Sequence, residues 1–175
     1  MEDLIKTQWY ALFQTAYGWC GIVFGKNGII TICLPEPQKL KLKNKILSCF
    51  RNIEEGSHRI KYVIRDISKY FKGENVHFSC VLDMSSMTPF QKEVYRETRK
   101  IPFGKTQSYN WLAEKIGIAG GARAVGNALG KNPMPLLIPC HRIIRKNGML
   151  GGFSSPGGIF LKKKMLLMEG VSIKV

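Results

Sequence analysis

The sequence predicts two domains in series: a small α/β domain with one antiparallel sheet and helices over residues 1–85, then a mostly α-helical domain with a helix-turn-helix over residues 86–175. Three observations carry this expectation. Apolar residues alternate with period two around a Gly-rich turn in the first half, capped helical patterns dominate the second, and the charge balance changes between them. With 175 residues, 45% of them apolar, the chain can bury one sizeable core or two small ones, and it lacks the composition of a disordered basic tail.

The elements follow in order. Gly18 to Phe24 and Ile29 to Leu34 are β-prone and flank Gly25-Lys26-Asn27-Gly28, which reads as a hairpin. A Lys-rich stretch after it reads as helix. Ile60, Val63, Ile64, Ile67, Tyr70 and Phe71 share one helical face behind the candidate cap Ser57, and Gly73 supplies a stop. Val76, Phe78, Cys80 and Leu82 then alternate with His77, Ser79, Val81 and Asp83, the pattern of a half-buried strand. Asp83 to Met87 forms the linker. Thr88-Pro89-Phe90-Gln91 combines an N-cap, a proline at the first helical position and a capping-box glutamine, so a helix runs from there to about Lys100. Ser108 caps a second helix with Tyr109, Leu112, Ala113 and Ile116 facing inward, closed by Gly117. After Ile118-Ala119-Gly120-Gly121, a third helix of small residues runs from Ala122 to Leu129. The last two form the helix-turn-helix, and the third carries Arg123 and Asn127 among Ala122, Ala124, Gly126 and Ala128, which suits close approach to another surface.

The formal net charge is +15, of which +4 falls up to Ser85 and +11 after it. So positive a domain points to a polyanion, and nucleic acid is the default partner because neutralising phosphates releases counterions. No apolar stretch reaches the length of a membrane span. The start Met1-Glu2-Asp3-Leu4 carries acid where a secretory signal carries base, so an intracellular location is expected. Five cysteines stand at positions 20, 33, 49, 80 and 140 without any C-x-x-C pair, which excludes a zinc ribbon or thioredoxin-type site. Cys20, Cys33, Cys49 and Cys80 read as small buried hydrophobes. Cys140 differs, because it follows a proline-fenced apolar run from Pro133 to Pro139 and precedes His141, with Arg142, Arg145 and Lys146 close in sequence. Positive charge favours thiolate over thiol and an imidazole can take the thiol proton, so Cys140 has the setting of a nucleophile.

At Pro139-Cys140-His141-Arg142 the sequence resembles the O6-alkylguanine-DNA alkyltransferase family of DNA repair proteins. Family-like blocks also stand at Phe103-Gly104-Lys105-Thr106 with Ser108-Tyr109, at Ala122 to Gly126, at Asn132 to Pro135, at Ile138 to Ile144, at Gly151 to Ser154 and at Leu166 to Gly170, in the family's order across residues 88–170. The resemblance implies a ribonuclease-H-like first domain. It also implies that the protein flips O6-alkylguanine, and less well O4-alkylthymine, from double-stranded DNA and moves the alkyl group irreversibly onto Cys140. By the same resemblance His141 is the base, acting through a bound water and oriented by Glu169. Asn132 braces the turn into the active segment. Tyr109 assists extrusion and hydrogen-bonds the flipped purine, while backbone groups of Cys140, Ile143 and Ser154 hold the guanine edge and Phe153 lines the pocket by its ring. Arg123 is the arginine that enters the base stack, and Ala122, Ala124, Gly126 and Asn127 lie with it in a helix that the family sets in the minor groove. Some members of the family hold zinc through Cys and His of the N-terminal half, at positions that Cys20, Cys33 and His77 do not match, so no metal is expected; no cofactor, no membrane and a monomer are expected too, in a cytoplasmic or, in a eukaryote, nuclear setting.

Two departures stand out. Phe153 replaces a frequent tyrosine, and Ser155-Pro156 reads as an insertion of about two residues over the pocket. Three other readings are weaker. A lesion-binding module without chemistry would lack Cys140, a Cys-His hydrolase would need an oxyanion-hole motif, and a methyltransferase with a dissociable donor would need a Gly-rich doubly wound domain.

Overall fold

Three consecutive strands open the fold: β1 (Gln8–Thr15), β2 (Gly18–Gly25) and β3 (Gly28–Glu36), paired antiparallel through tight turns. The computed structural model describes residues 8–173, so Glu2 and Asp3, on which the intracellular expectation rests, lie outside the described residues. No described helix is long and apolar enough to cross a membrane. The chain divides into two units, Met1–Met84 and Ser85–Val175.

In the first unit the β2–β3 hairpin forms where the sequence placed it, but β1 carries no period-two signal. Trp9 to Phe13 is a nearly continuous apolar run with Tyr10 and Ala11 both buried, and such a run does not announce its period. The sheet is also mixed and not purely antiparallel as expected, because β4 (Glu54–Glu55) adds to β1 in parallel, giving the order β3-β2-β1-β4. Two exposed glutamates held by backbone pairing leave no apolar pattern to read.

Helix α1 (Lys39–Cys49) turns Leu42 and Ile46 onto Tyr10 and Val23. It lies so close that a Cβ at Gly21 would stand 2.7 Å from Ile46 Cδ1. Helix α2 (Lys61–Tyr70) buries Val63, Ile67 and Tyr70 and packs on β1. Ser57 is not its cap: Ile60 holds that place, and the Ser57 carbonyl accepts from the Ile60 N–H at 3.1 Å.

The strand expected over residues 76–82 does not form. Alternation of burial persists there, yet a single bridge joins Leu82 to Ile29, with Ile29 N–H donating to Val81 O and Asp83 N–H to Ile29 O. Gly28 makes this contact possible, since its φ of 127° is left-handed and a Cβ would meet Val81 O at 2.5 Å. Cys20 and Cys80 are buried as expected, but Cys33 is half-buried and Cys49 exposed, and all five cysteines are free thiols.

The second unit opens with α3 (Pro89–Arg99), whose Thr88 and Gln91 form the full capping box. Tyr95 fastens α3 to the next layer by donating to Ala128 O at 2.8 Å. A two-strand ladder of β5 (Gln107–Ser108) and β6 (Ile143–Ile144) runs parallel. Ser108 accepts from Trp111 N–H and caps α4 (Tyr109–Lys115), where Leu112 and Ala113 are buried while Tyr109 and Ile116 are only half-buried. Helix α5 (Ala122–Gly130) completes the helix-turn-helix, burying Val125, Ala128 and Leu129 and exposing Arg123, Ala124 and Asn127. Helix α6 (Gly158–Met168) closes the unit.

Candidate active site

Cys140 begins a single turn of 3-10 helix, Cys140–Arg142, at the end of the buried run from Met134 to Pro139. That run is bent by Leu136, whose φ of 77° is rare for a branched side chain, and by Asn132, which accepts from Met134 N–H and donates to Ile138 O. The same Asn132 amide donates to Cys140 Sγ at 3.2 Å. Asn132 therefore both braces the turn, as the resemblance implied, and touches the sulfur, which the sequence did not indicate.

Burial drives the Cys140 thiol pKa up, while the Asn132 amide, the Lys162 ammonium and the N–H groups of Cys140 and His141 act against it. Lys162 is the cation the sequence reading missed. Its ammonium is fully buried on α6, donates to Ile143 O at 2.6 Å and lies 5.8 Å from the centre of the Tyr109 ring. Burial pushes its pKa down to about 8, so it is charged at neutral pH and acts on the sulfur in a medium of low dielectric.

Behind Cys140 lies a buried ionic cluster. His141 Nε2 meets Glu169 Oε1 at 2.7 Å, and Arg142 grips both oxygens of the same carboxylate, at 2.9 and 3.0 Å, while donating to Ile101 O at 2.7 Å. Gly104 N–H adds a fourth contact to Glu169. For the Glu169 carboxyl, burial is an opposing upward pull; the hydrogen bonds and charges of His141 and Arg142 outweigh it and hold the pKa near 2. Burial lowers the His141 pKa, against the pull of Glu169. His141 is thus a neutral imidazole whose Nε2 proton faces a fixed carboxylate, which makes Nδ1 the nitrogen able to take a proton. Arg142, expected to favour the thiolate directly, serves Glu169 instead.

In front of Cys140 opens a cavity of about 860 Å³. Tyr109, Gly151, Phe153 and Ser154 line it on the loop side, and Ala122, Arg123, Gly126 and Asn127 line it on the α5 side. Tyr109 approaches Gly151 so closely that a Cβ there would stand 2.5 Å from its hydroxyl. The Ser154 hydroxyl donates to Gly130 O, tying the loop to the end of α5. His141, Glu169, Asn132, Ala124 and Ile143 are not among the residues lining the cavity. Of the backbone groups expected on the guanine edge, the Ile143 carbonyl accepts from the Lys162 ammonium.

A buried cysteine that lines an open cavity beside a helix-turn-helix, and is followed at once by a histidine paired with a buried carboxylate, fits a nucleophilic cysteine transferase of the DNA-binding kind. Residues 89–171 match the family model for the 6-O-methylguanine DNA methyltransferase DNA-binding domain. The chain is 37% identical to the methylated-DNA–protein-cysteine methyltransferase of Methanothermobacter thermautotrophicus, over 88% of this chain and 81% of that protein. It is 48% identical to the protein so named in Sulfolobus acidocaldarius, over 71% and 76%. Among solved structures, the O6-methylguanine methyltransferase of Mycobacterium tuberculosis superposes with a TM-score of 0.74 at 28% identity, covering 93% of this chain and 92% of that one. The chain belongs to the methylated-DNA–protein-cysteine methyltransferase family.

Proposed function

We propose that Cys140 is the alkyl acceptor in a direct-reversal repair of O6-alkylguanine, and less well of O4-alkylthymine, in double-stranded DNA. The protein is a cysteine alkyltransferase that moves an alkyl group onto itself, and DNA is its partner. The observation that carries the assignment is the buried Glu169–His141 pair behind a sulfur that faces the cavity. His141 Nδ1 takes the thiol proton, through a water between them. The thiolate attacks the alkyl carbon, the S–C bond forms as the C–O6 bond breaks, and the electron pair leaves with the guanine, which takes up a proton and is restored. Asn132 and Lys162 stabilise the thiolate before the step. Tyr109 and the Ser154 N–H meet the charge that develops on the purine, Phe153 lines its face, and donors fixed in advance suit that work. The thioether has no route back, so one molecule repairs one lesion.

Helix α5 enters the minor groove, where Ala122, Ala124, Gly126 and Asn127 permit close approach and Arg123 fills the place the base has left. The protein acts as a monomer within the cell. After mixing with duplex DNA bearing O6-methylguanine, mass spectrometry should find one methyl group per protein, on Cys140, and none in Cys140→Ala. Multiple turnover, or a methyl elsewhere, would contradict the assignment.

A further inference from the structure

Arg145 and Lys146 have no part in the chemistry above. Close to Cys140 in sequence, they stand apart from it in function, since the cation that acts on the sulfur is Lys162. Both are exposed, and both line the same cavity as Arg123. They are not on a loose segment. The turn is closed by Arg145 N–H to Met149 O and Gly148 N–H to Arg145 O, each 2.9 Å, and by Met149 N–H to the Asn147 side chain. It continues directly from β6, which pairs with β5 at the start of α4. Arg145 also acts electrostatically on the Tyr109 hydroxyl, which burial and Cys140 push toward a higher pKa.

These charges need an explanation, because the cavity lining holds three cations and no carboxylate. An alkylated guanine is neutral at pH 7, so none of the three is required by the base. A base that is part of a nucleic-acid chain brings phosphodiesters with it, and each is an anion that Arg binds in a fork and Lys as a point charge.

Building on the proposed function, we infer that Arg145 and Lys146 form a phosphate-binding rim, which grips the backbone flanking the extruded nucleotide and selects a lesion within a polynucleotide over the free modified base. Arg123 addresses the duplex the base has left, and the 145–146 rim addresses the strand that carries the base. The rim should therefore count as much for a single strand as for a duplex.

The test compares two substrates on the full-length protein: free O6-benzylguanine and a single-stranded oligonucleotide with one O6-methylguanine. In R145Q/K146Q the ratio of the oligonucleotide rate to the free-base rate should fall by on the order of tenfold at low salt. The salt dependence of oligonucleotide binding should flatten by about 1.4 in log–log slope, the contribution of two phosphate contacts on a single strand. Arg145→Lys, which keeps the charge, should recover part of the ratio. An unchanged ratio and slope would overturn the inference, as would an equal loss on both substrates, which would mean damage to the pocket itself. Failure of the unmodified protein to carry any alkyl group on Cys140 would instead overturn the functional assignment, a result the free-base arm reads independently.

Discussion

The two units spend their interiors differently. In the first, Cys20, Ile22, Val23, Phe24, Ile67 and Tyr70 are all but inaccessible, and among the described residues the buried charge is Glu36, at the end of β3 and paired with Lys41 at 3.2 Å. In the second, Glu97, His141, Arg142, Lys162 and Glu169 are buried together with the apolar core. Removing ions from water costs several kcal/mol each even when they are paired, and well-packed apolar residues of similar volume would often be neutral or more stabilising. On the proposed function, the buried charges around Cys140 have a use that stability alone does not give them: Glu169 orients the His141 imidazole, and Lys162 opposes the rise that burial imposes on the Cys140 thiol pKa.

Paired substitutions sharpen that contrast. Glu169→Gln leaves Arg142 buried beside a neutral amide, and the second unit should lose about 3–5 kcal/mol. Alkyl transfer should also slow by roughly a hundredfold, the low end of what a positioned proton acceptor contributes. Ile22→Ala should cost the first unit about 2–5 kcal/mol through the cavity it leaves, with no change in the rate of the folded protein. Denaturant unfolding combined with single-turnover kinetics separates the two outcomes, and a slowed reaction in Ile22→Ala would break the contrast.

Acid should act unequally. The His141 pKa is below its ordinary 6.5 in the fold, so the unfolded chain binds more protons, and stability declines as pH falls below about that value. Glu169, ordinarily near 4.5, is held near 2, so its contribution is present above 4.5 and disappears as pH falls through that window toward 2. Hydrogen exchange from pH 7 to pH 3 should show protection falling in the second unit while β1–β3 hold theirs. A parallel decline in both would assign the acid response to something other than this pair.

What the sequence revealed follows from how local each signal is. The β2–β3 hairpin, the capping box at Thr88 and the Ser108 cap are written within a few residues, and each formed. Strand β1 was hidden because both its faces are covered, and residues 76–82 misled because alternating burial does not require a ladder. At the site, Cys140 and His141 were legible as neighbours, and Glu169 only through the family resemblance. Lys162 was legible through neither, since one lysine in the run Lys162-Lys163-Lys164 looks like the others until the fold buries it completely. Arg142 illustrates the converse, a residue placed near the sulfur by sequence and turned away from it by a carboxylate 27 positions downstream.

The most direct test of the claim that the buried charges serve the sulfur is the titration of the Cys140 thiol in Lys162→Met. The thiol pKa should rise when the ammonium is removed, and reaction with free O6-benzylguanine at neutral pH should slow by about tenfold for each unit of that rise, with Lys162→Arg intermediate. A titration curve and rate unchanged in Lys162→Met would contradict it.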